Sequence, residues 1–408
     1  LNAAGSKEKM KISKIETIHL KEFSNILFIQ IHTDNGLVGL GETYYTPETT
    51  TALIHEALAP QLLGLNPLDI EGHWRRLYDS THVYGNRGTE LRAISAIDVA
   101  LWDLFGQQAG LPLYRALGGA SRESIRTYNT CAGTLYARGT PGVARSASST
   151  TVNNGRYEDL EAFTHRADEL ARDLLSEGIR AMKIWPFDPF ATQSNGNYIS
   201  FADIEKGLGP IRKIRDAVGM DMEVMMEGHG YWKLPAAVRI AEALEEYMPM
   251  WLEDFMKPDN VGTLAQLRQA TSIPICGSEL ALSRYHAKDL LEEQAVDILM
   301  TDVTWTGGLT ESKKLAAMAD TYNLPFVAHD CTGPITFLAS IHLSLHCSNA
   351  MIQESVRAYY HGFYKDLITE PIRIEDGFIY PPDGPGIGAT LNPNIFKRND
   401  ITIRESVI

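Results

Sequence analysis

Ionisable residues end apolar runs at a nearly constant interval across the second half of this chain. Glu227, Glu253, Glu279, Asp302, His329 and Glu354 follow one another at steps of 26, 26, 23, 27 and 25 residues. A step near 25 accommodates one strand, one helix and the two loops that join them. Each of these residues therefore falls at the same phase of a repeating unit. The apolar runs are IRTYNT, IRAMKIW, MEVMMEG, MPMWLED, IPICGSE, AVDILMTD, LPFVAHD and AMIQES. Eight such runs, with amphipathic helices between them, predict an α/β fold whose strands close into a parallel (β/α)8-type barrel, a modified TIM barrel. Active sites of such barrels sit at the carboxyl ends of the strands, the phase these residues occupy.

A chain of 408 residues exceeds what one compact core usually holds, so a second domain is expected. Residues 10–123 read as an α+β capping domain. ILFIQIHTDNGLVGLGE predicts a hairpin turning at Asp34-Asn35-Gly36, where Asn-Gly accepts positive φ cheaply. ELRAISAIDVALWDLFGQQAG, from Glu90 to Gly110, repeats apolar residues at three- and four-residue steps and predicts a helix ending at its glycine. The barrel then spans 124–355. The Gly- and Pro-rich segment 356–408 shows no clear helix and is expected to pack back and complete the cap. LNAAGSKEK, before Met10, is expected to be an appended remnant outside the fold.

Net charge is −14, which disfavours nucleic acid or an anionic membrane as a partner. It leaves room for a small anionic substrate, because a bound metal reverses the local field. Four cysteines without a C-x-x-C pair suggest reduced thiols and a cytoplasmic location. No apolar run is long enough to cross a bilayer, and no signal-peptide pattern is present.

Glu227, Glu253 and Glu279 end three consecutive predicted strands. Carboxylates converging without a cation would repel, whereas an oxygen-only set on a rigid rim suits a hard divalent ion such as Mg²⁺. Separate pairing of each glutamate with a Lys or Arg is the alternative. Lys183 ends the second barrel strand, on the same rim. Asp302 and His329 end adjacent strands, where the carboxylate would fix the tautomer of the imidazole. His229, two residues beyond Glu227, shares its strand face if the strand continues. Glu354 is placed either to donate a proton to a substrate oxygen or to pair with an arginine.

Taken together, Lys183, the three glutamates, Asp302 in DVTWTGG, His329 in VAHD and Glu354 resemble the enolase superfamily, in its mandelate racemase and muconate-lactonising branch. AISAIDVALWDLFGQQAGLPLYRALGG is similar to that family's segment between cap and barrel. The resemblance implies Mg²⁺ on Glu227, Glu253 and Glu279, and removal of the proton beside a carboxylate to give an enediolate. Two departures narrow it. The racemase pattern has a second lysine two residues after the first, where this chain has Trp185. The position two after the third-strand ligand holds His229, as in the galactonate and mannonate dehydratases of the superfamily. That implies His229 as base, His329 with Asp302 as acid, and loss of water from an aldonic or aldaric acid to a 2-keto-3-deoxy acid.

Substrate contacts are expected from the cap, from Tyr44 and Tyr45 in GETYYTPE and from His82, Tyr84, Asn86 and Arg87 in THVYGNRG, with Trp185 beside them. A homo-oligomer is expected. Rival readings are a racemase, epimerase or cycloisomerase of the same branch, and a catalytically silent sugar-acid binding protein. A barrel glycosidase is a weaker rival, because it needs a carboxylate pair without metal.

Overall fold

The computed structural model describes residues 10–138 and 156–408, so the stretch before Met10 lies outside the described residues. The chain opens with three antiparallel strands, β1 (Ile12–Leu20), β2 (Ile26–Thr33) and β3 (Val38–Tyr44). The β2–β3 hairpin turns where expected, and Gly36 takes φ +89°, a left-handed conformation open to glycine. Helix Thr89–Ala109 crosses this sheet and stops at Gly110, also left-handed at φ +65°. Its apolar stripe, Leu91, Ile94, Ile97, Leu101 and Leu104, packs with Ile15, Leu27, Ile29 and Ile31 in one core. A Cβ on Gly39 or Gly41 of β3 would overlap the helix carbonyls of Ala100 and Ala96, so only glycine permits this approach.

The eight predicted runs form β4 (Ile125–Thr130), β5 (Ala181–Ile184), β6 (Glu223–Glu227), β7 (Trp251–Glu253), β8 (Ile275–Gly277), β9 (Ile298–Asp302), β10 (Phe326–His329) and β11 (Ala350–Ser355). Each pairs in parallel with the next, and β11 pairs with β4, which closes the barrel. Alternate residues fill two compartments. Tyr128, Ala181, Met225, Trp251, Cys276, Met300 and Val327 form the core inside the barrel. Their neighbours Met182, Val224, Leu252, Ile275, Leu299 and Phe326 pack outward with the helices.

The C-terminal segment serves both domains rather than the cap alone. β12 (Arg373–Glu375) and β13 (Phe378–Tyr380) form a hairpin, and β13 pairs antiparallel with barrel strand β4. Ile379, fully buried, anchors it there. β14 (Ile401–Val407) reaches the cap, pairing antiparallel with β1, and the Ile387 amide donates to Asp103 of the cap helix at 2.8 Å. The segment also holds two four-residue helices, Arg357–Tyr360 and Tyr364–Leu367, which its Gly and Pro content hid. Among the described residues, no helix is long and apolar enough to cross a membrane.

Candidate active site

The carboxyl ends of β6, β7 and β8 bring Glu227, Glu253 and Glu279 together, with one oxygen of each within 4.8 Å of the others. Glu227 Oε1 accepts from the amides of Gly228 and His229 at 3.0 and 2.7 Å, and Glu253 Oε2 from the Trp251 indole at 2.8 Å. These bonds fix the carboxylates while leaving their other oxygens toward the cluster. Glu279 stands two residues past the end of β8, so it belongs to the loop rather than to the strand. Lys183 lies among them: its Nζ contacts Glu253, is 2.9 Å from Glu354 and is 3.4 Å from Glu227. Glu354 therefore pairs with lysine rather than arginine, and it also accepts from the Thr130 hydroxyl and the Asp330 amide. Burial drives the Glu253 carboxyl well above its ordinary range, and Lys183 does not fully offset that. An all-oxygen donor set of this charge, two of its members buried, fits a hard divalent cation such as Mg²⁺.

His329 ends β10, with Nδ1 2.8 Å from Asp302 Oδ2 on β9. Asp302 is itself held by the Thr304 amide and hydroxyl at 2.8 and 2.9 Å. The other imidazole nitrogen, Nε2, lies 2.8 Å from Glu279. Burial would lower the His329 pKa, but Glu279 and Glu354 outweigh it and raise it well above the ordinary value. Glu279 is burdened by burial too, yet His329 against it holds its pKa at about 2.

His229 reaches the same cavity by a different route from the one expected. β6 ends at Glu227, and His229 sits in a turn at φ +46°, so strand alternation does not place it. Its position comes instead from Asp188, whose Oδ2 is 2.6 Å from His229 Nδ1, and from Trp185, edge-on at 5.5 Å. Burial works against the imidazolium, but Asp188 and Glu227 prevail and raise the pKa to about 9. Each histidine thus has an aspartate on Nδ1. β6 and β10 are the third and seventh strands of eight, so the two dyads rise from opposite sides of the barrel.

A cavity of about 200 Å³ lies over these groups, and Tyr44, Tyr45 and Trp185 line it. His82, Asn86 and Arg87 do not; they line a separate surface hollow with Tyr78 and Tyr285. Tyr84 is 59% exposed. The loop after helix Ile70–Thr81 turns outward, and its polar groups bond locally, Asn86 to Tyr78 and His82. Sequence reasoning missed Asp188, Arg92, Trp305, Tyr136 and Asp254, all but Asp188 cavity-lining. Asp188 stands before a proline that opens a helical turn, and Arg92 in the first turn of a cap helix, places where either residue ordinarily faces water. Tyr45, His229 and Asp254 all carry positive φ at the rim, the concentration of backbone strain typical of functional sites.

The cap also grips the loop behind Asp302. Thr43 donates to the Thr304 carbonyl at 3.0 Å, and Trp74 to that of Gly307 at 2.8 Å. The Gly307 amide donates to Ser95 and the Thr310 amide to Asp98, at 2.8 and 2.9 Å. Glu42 does the same for the helix after His329, accepting from the Ile335 amide at 3.1 Å and the Thr336 hydroxyl at 2.6 Å. A carboxylate at each helix N-terminus satisfies amides that have no partner within the helix.

Residues 10–118 match the mandelate racemase / muconate lactonizing enzyme N-terminal domain, and residues 166–395 the enolase C-terminal domain-like family. The D-mannonate dehydratase of Sphingomonas sp. is 30% identical, covering 91% of this chain and 90% of the relative. The D-gluconate dehydratase of Thermoproteus tenax is 29% identical, covering 95% and 73%. An enolase of the mandelate racemase subgroup from Agrobacterium tumefaciens, known by crystal structure, is 41% identical with a TM-score of 0.86, over 97% of this chain and 99% of that one. The barrel, the cap and the acidic cluster agree with these matches, and the chain belongs to the mandelate racemase / muconate lactonizing enzyme family of the enolase superfamily.

Proposed function

We propose that the protein is a Mg²⁺-dependent dehydratase of a sugar acid. The observation that carries this reading is the pair of histidine–aspartate dyads on opposite barrel strands with the three glutamates between them. Glu227, Glu253 and Glu279 would hold the cation, which would supply positive charge to the substrate carboxylate. Lys183 adds a fixed positive charge at the same end of the cavity. His229, kept in one tautomer by Asp188, takes the α-proton at Nε2. His329, held by Asp302, gives its Nε2 proton to the 3-hydroxyl, the C–O bond breaks, and water departs. Its contact with Glu279 opens for this step. The enol left behind tautomerises to the 2-keto-3-deoxy acid. Named relatives that dehydrate arabinonate, gluconate, galactonate and mannonate support the choice of reaction.

A second reading is favoured by the symmetry of the dyads: two bases on opposite faces also interconvert configurations at the α-carbon. The test is a screen of aldonic and aldaric acids with Mg²⁺, read by 2-keto-3-deoxy acid formation. Product is expected with Mg²⁺, lost with EDTA and restored by Mg²⁺. Epimer formation without a keto acid establishes the second reading, and full turnover in metal-stripped protein overturns the metal assignment.

A further inference from the structure

Arg92 enters the cavity from the first turn of helix Thr89–Ala109 and is the single charged side chain that the cap places there among the described residues. Its guanidinium lies 4.2 Å from the ring centre of Trp305 and 5.2 Å from that of Tyr45. Nη1 donates to the Tyr44 carbonyl at 3.0 Å. A guanidinium has five N–H donors in a rigid fork, and this is the one hydrogen bond it makes to the described residues. Asp302 and Glu279 act on it only from beyond ion-pair distance. By contrast, the buried Arg357 is paired with Asp159, Asp173 and Glu177. Arg92 lines the cavity beside two aromatic rings, with no carboxylate within ion-pair distance among the described residues.

A desolvated cation without a carboxylate is costly, and the cost is removed when an anion joins it. The fork of a guanidinium matches two carboxylate oxygens, and the Trp305 and Tyr45 rings beside Arg92 restrict where it can move. The barrel floor, with Lys183 and the three glutamates, already provides for one end of an acid substrate. Arg92 comes from the cap helix rather than from the barrel strand ends, so it is available to the other end. We propose that Arg92 receives a second carboxylate, so that the substrate is an aldaric acid, a sugar acid carboxylated at both ends, in preference to an aldonic acid. This rests on the dehydratase reading only for placing the first carboxylate at the floor.

The test compares matched pairs of acids that differ only at the far carbon, such as galactarate with galactonate and glucarate with gluconate. The panel covers the pentaric and hexaric epimers. Calorimetry measures binding to the full-length protein with Mg²⁺, and keto-acid formation is followed separately. At least one diacid is expected to bind about tenfold to a hundredfold more tightly than its monoacid, the range for hydrogen bonds to a charged group. Arg92→Met should erase that difference and leave monoacid binding within a few fold, while Arg92→Lys keeps the charge, loses the fork and retains part of it. The proposal is overturned if no diacid in the panel binds more tightly than its monoacid, or if Arg92→Met weakens both alike. Selective diacid binding without keto acid would sink dehydration and leave this inference standing. Keto acid from monoacids and diacids alike, with no difference in their binding, would do the reverse.

Discussion

Two aspartates of different legibility hold the two histidines. Asp302 and His329 end adjacent strands, so their pairing follows from the phase of the repeat. Asp188 lies in the loop after β5 and meets His229 only because the chain turns at Pro186 and again at the left-handed His229. No periodicity encodes such a meeting. Its consequence is testable. Asp188 stabilises the imidazolium, so Asp188→Asn should lower the His229 pKa from about 9 and move the acidic limb of the kcat/KM profile to lower pH. A limb that stays in place would remove His229 from the base role. A second experiment separates the roles. In D₂O, His329→Asn should exchange the α-proton without forming product, whereas His229→Asn should do neither. Exchange that survives in His229→Asn and vanishes in His329→Asn reverses the assignment.

At the scale of elements, the strands were readable and the loops were not. Apolar runs bounded by polar ends sufficed to locate all eight barrel strands. The cap loop at residues 82–87 has the composition of a polyol-binding loop, yet composition does not set the direction in which a loop leaves its helix. The latches between cap and barrel were equally hidden, since each joins residues about 200 or more apart. Asp98 and Glu42 read as lone acids in apolar elements until the helices they serve are in place. Burial raises the pKa of each to about 7, against the pull of the amides they accept. Asp98→Ala should leave the Thr310 amide without its partner and lower stability by about 1–3 kcal/mol, measured by urea unfolding. Gly333→Ala should also destabilise, because its Cβ would overlap the Glu42 carboxylate. An unchanged unfolding midpoint in both would show that the latches do not hold the domains.

The whole molecule is organised by what the last strand does. β14 pairs with β1 from Lys14↔Val407 to Leu20↔Ile401, and the remaining strand order of the cap sheet is β1, β2, β3. Removing residues 399–408 should expose the backbone edge of β1, lower the melting temperature and promote aggregation, seen by light scattering during thermal unfolding. A truncated protein that melts as the full chain does would make β14 ornamental.

That same pairing sets a clock on biosynthesis. β14 leaves the ribosome almost 400 residues after its partner β1. At about 5–20 residues per second, β1 waits roughly 20–80 seconds with one edge open. The barrel, whose strands pair with their neighbours in order of synthesis, can close during that wait. β14 then completes the cap sheet after all eight barrel strands have been made.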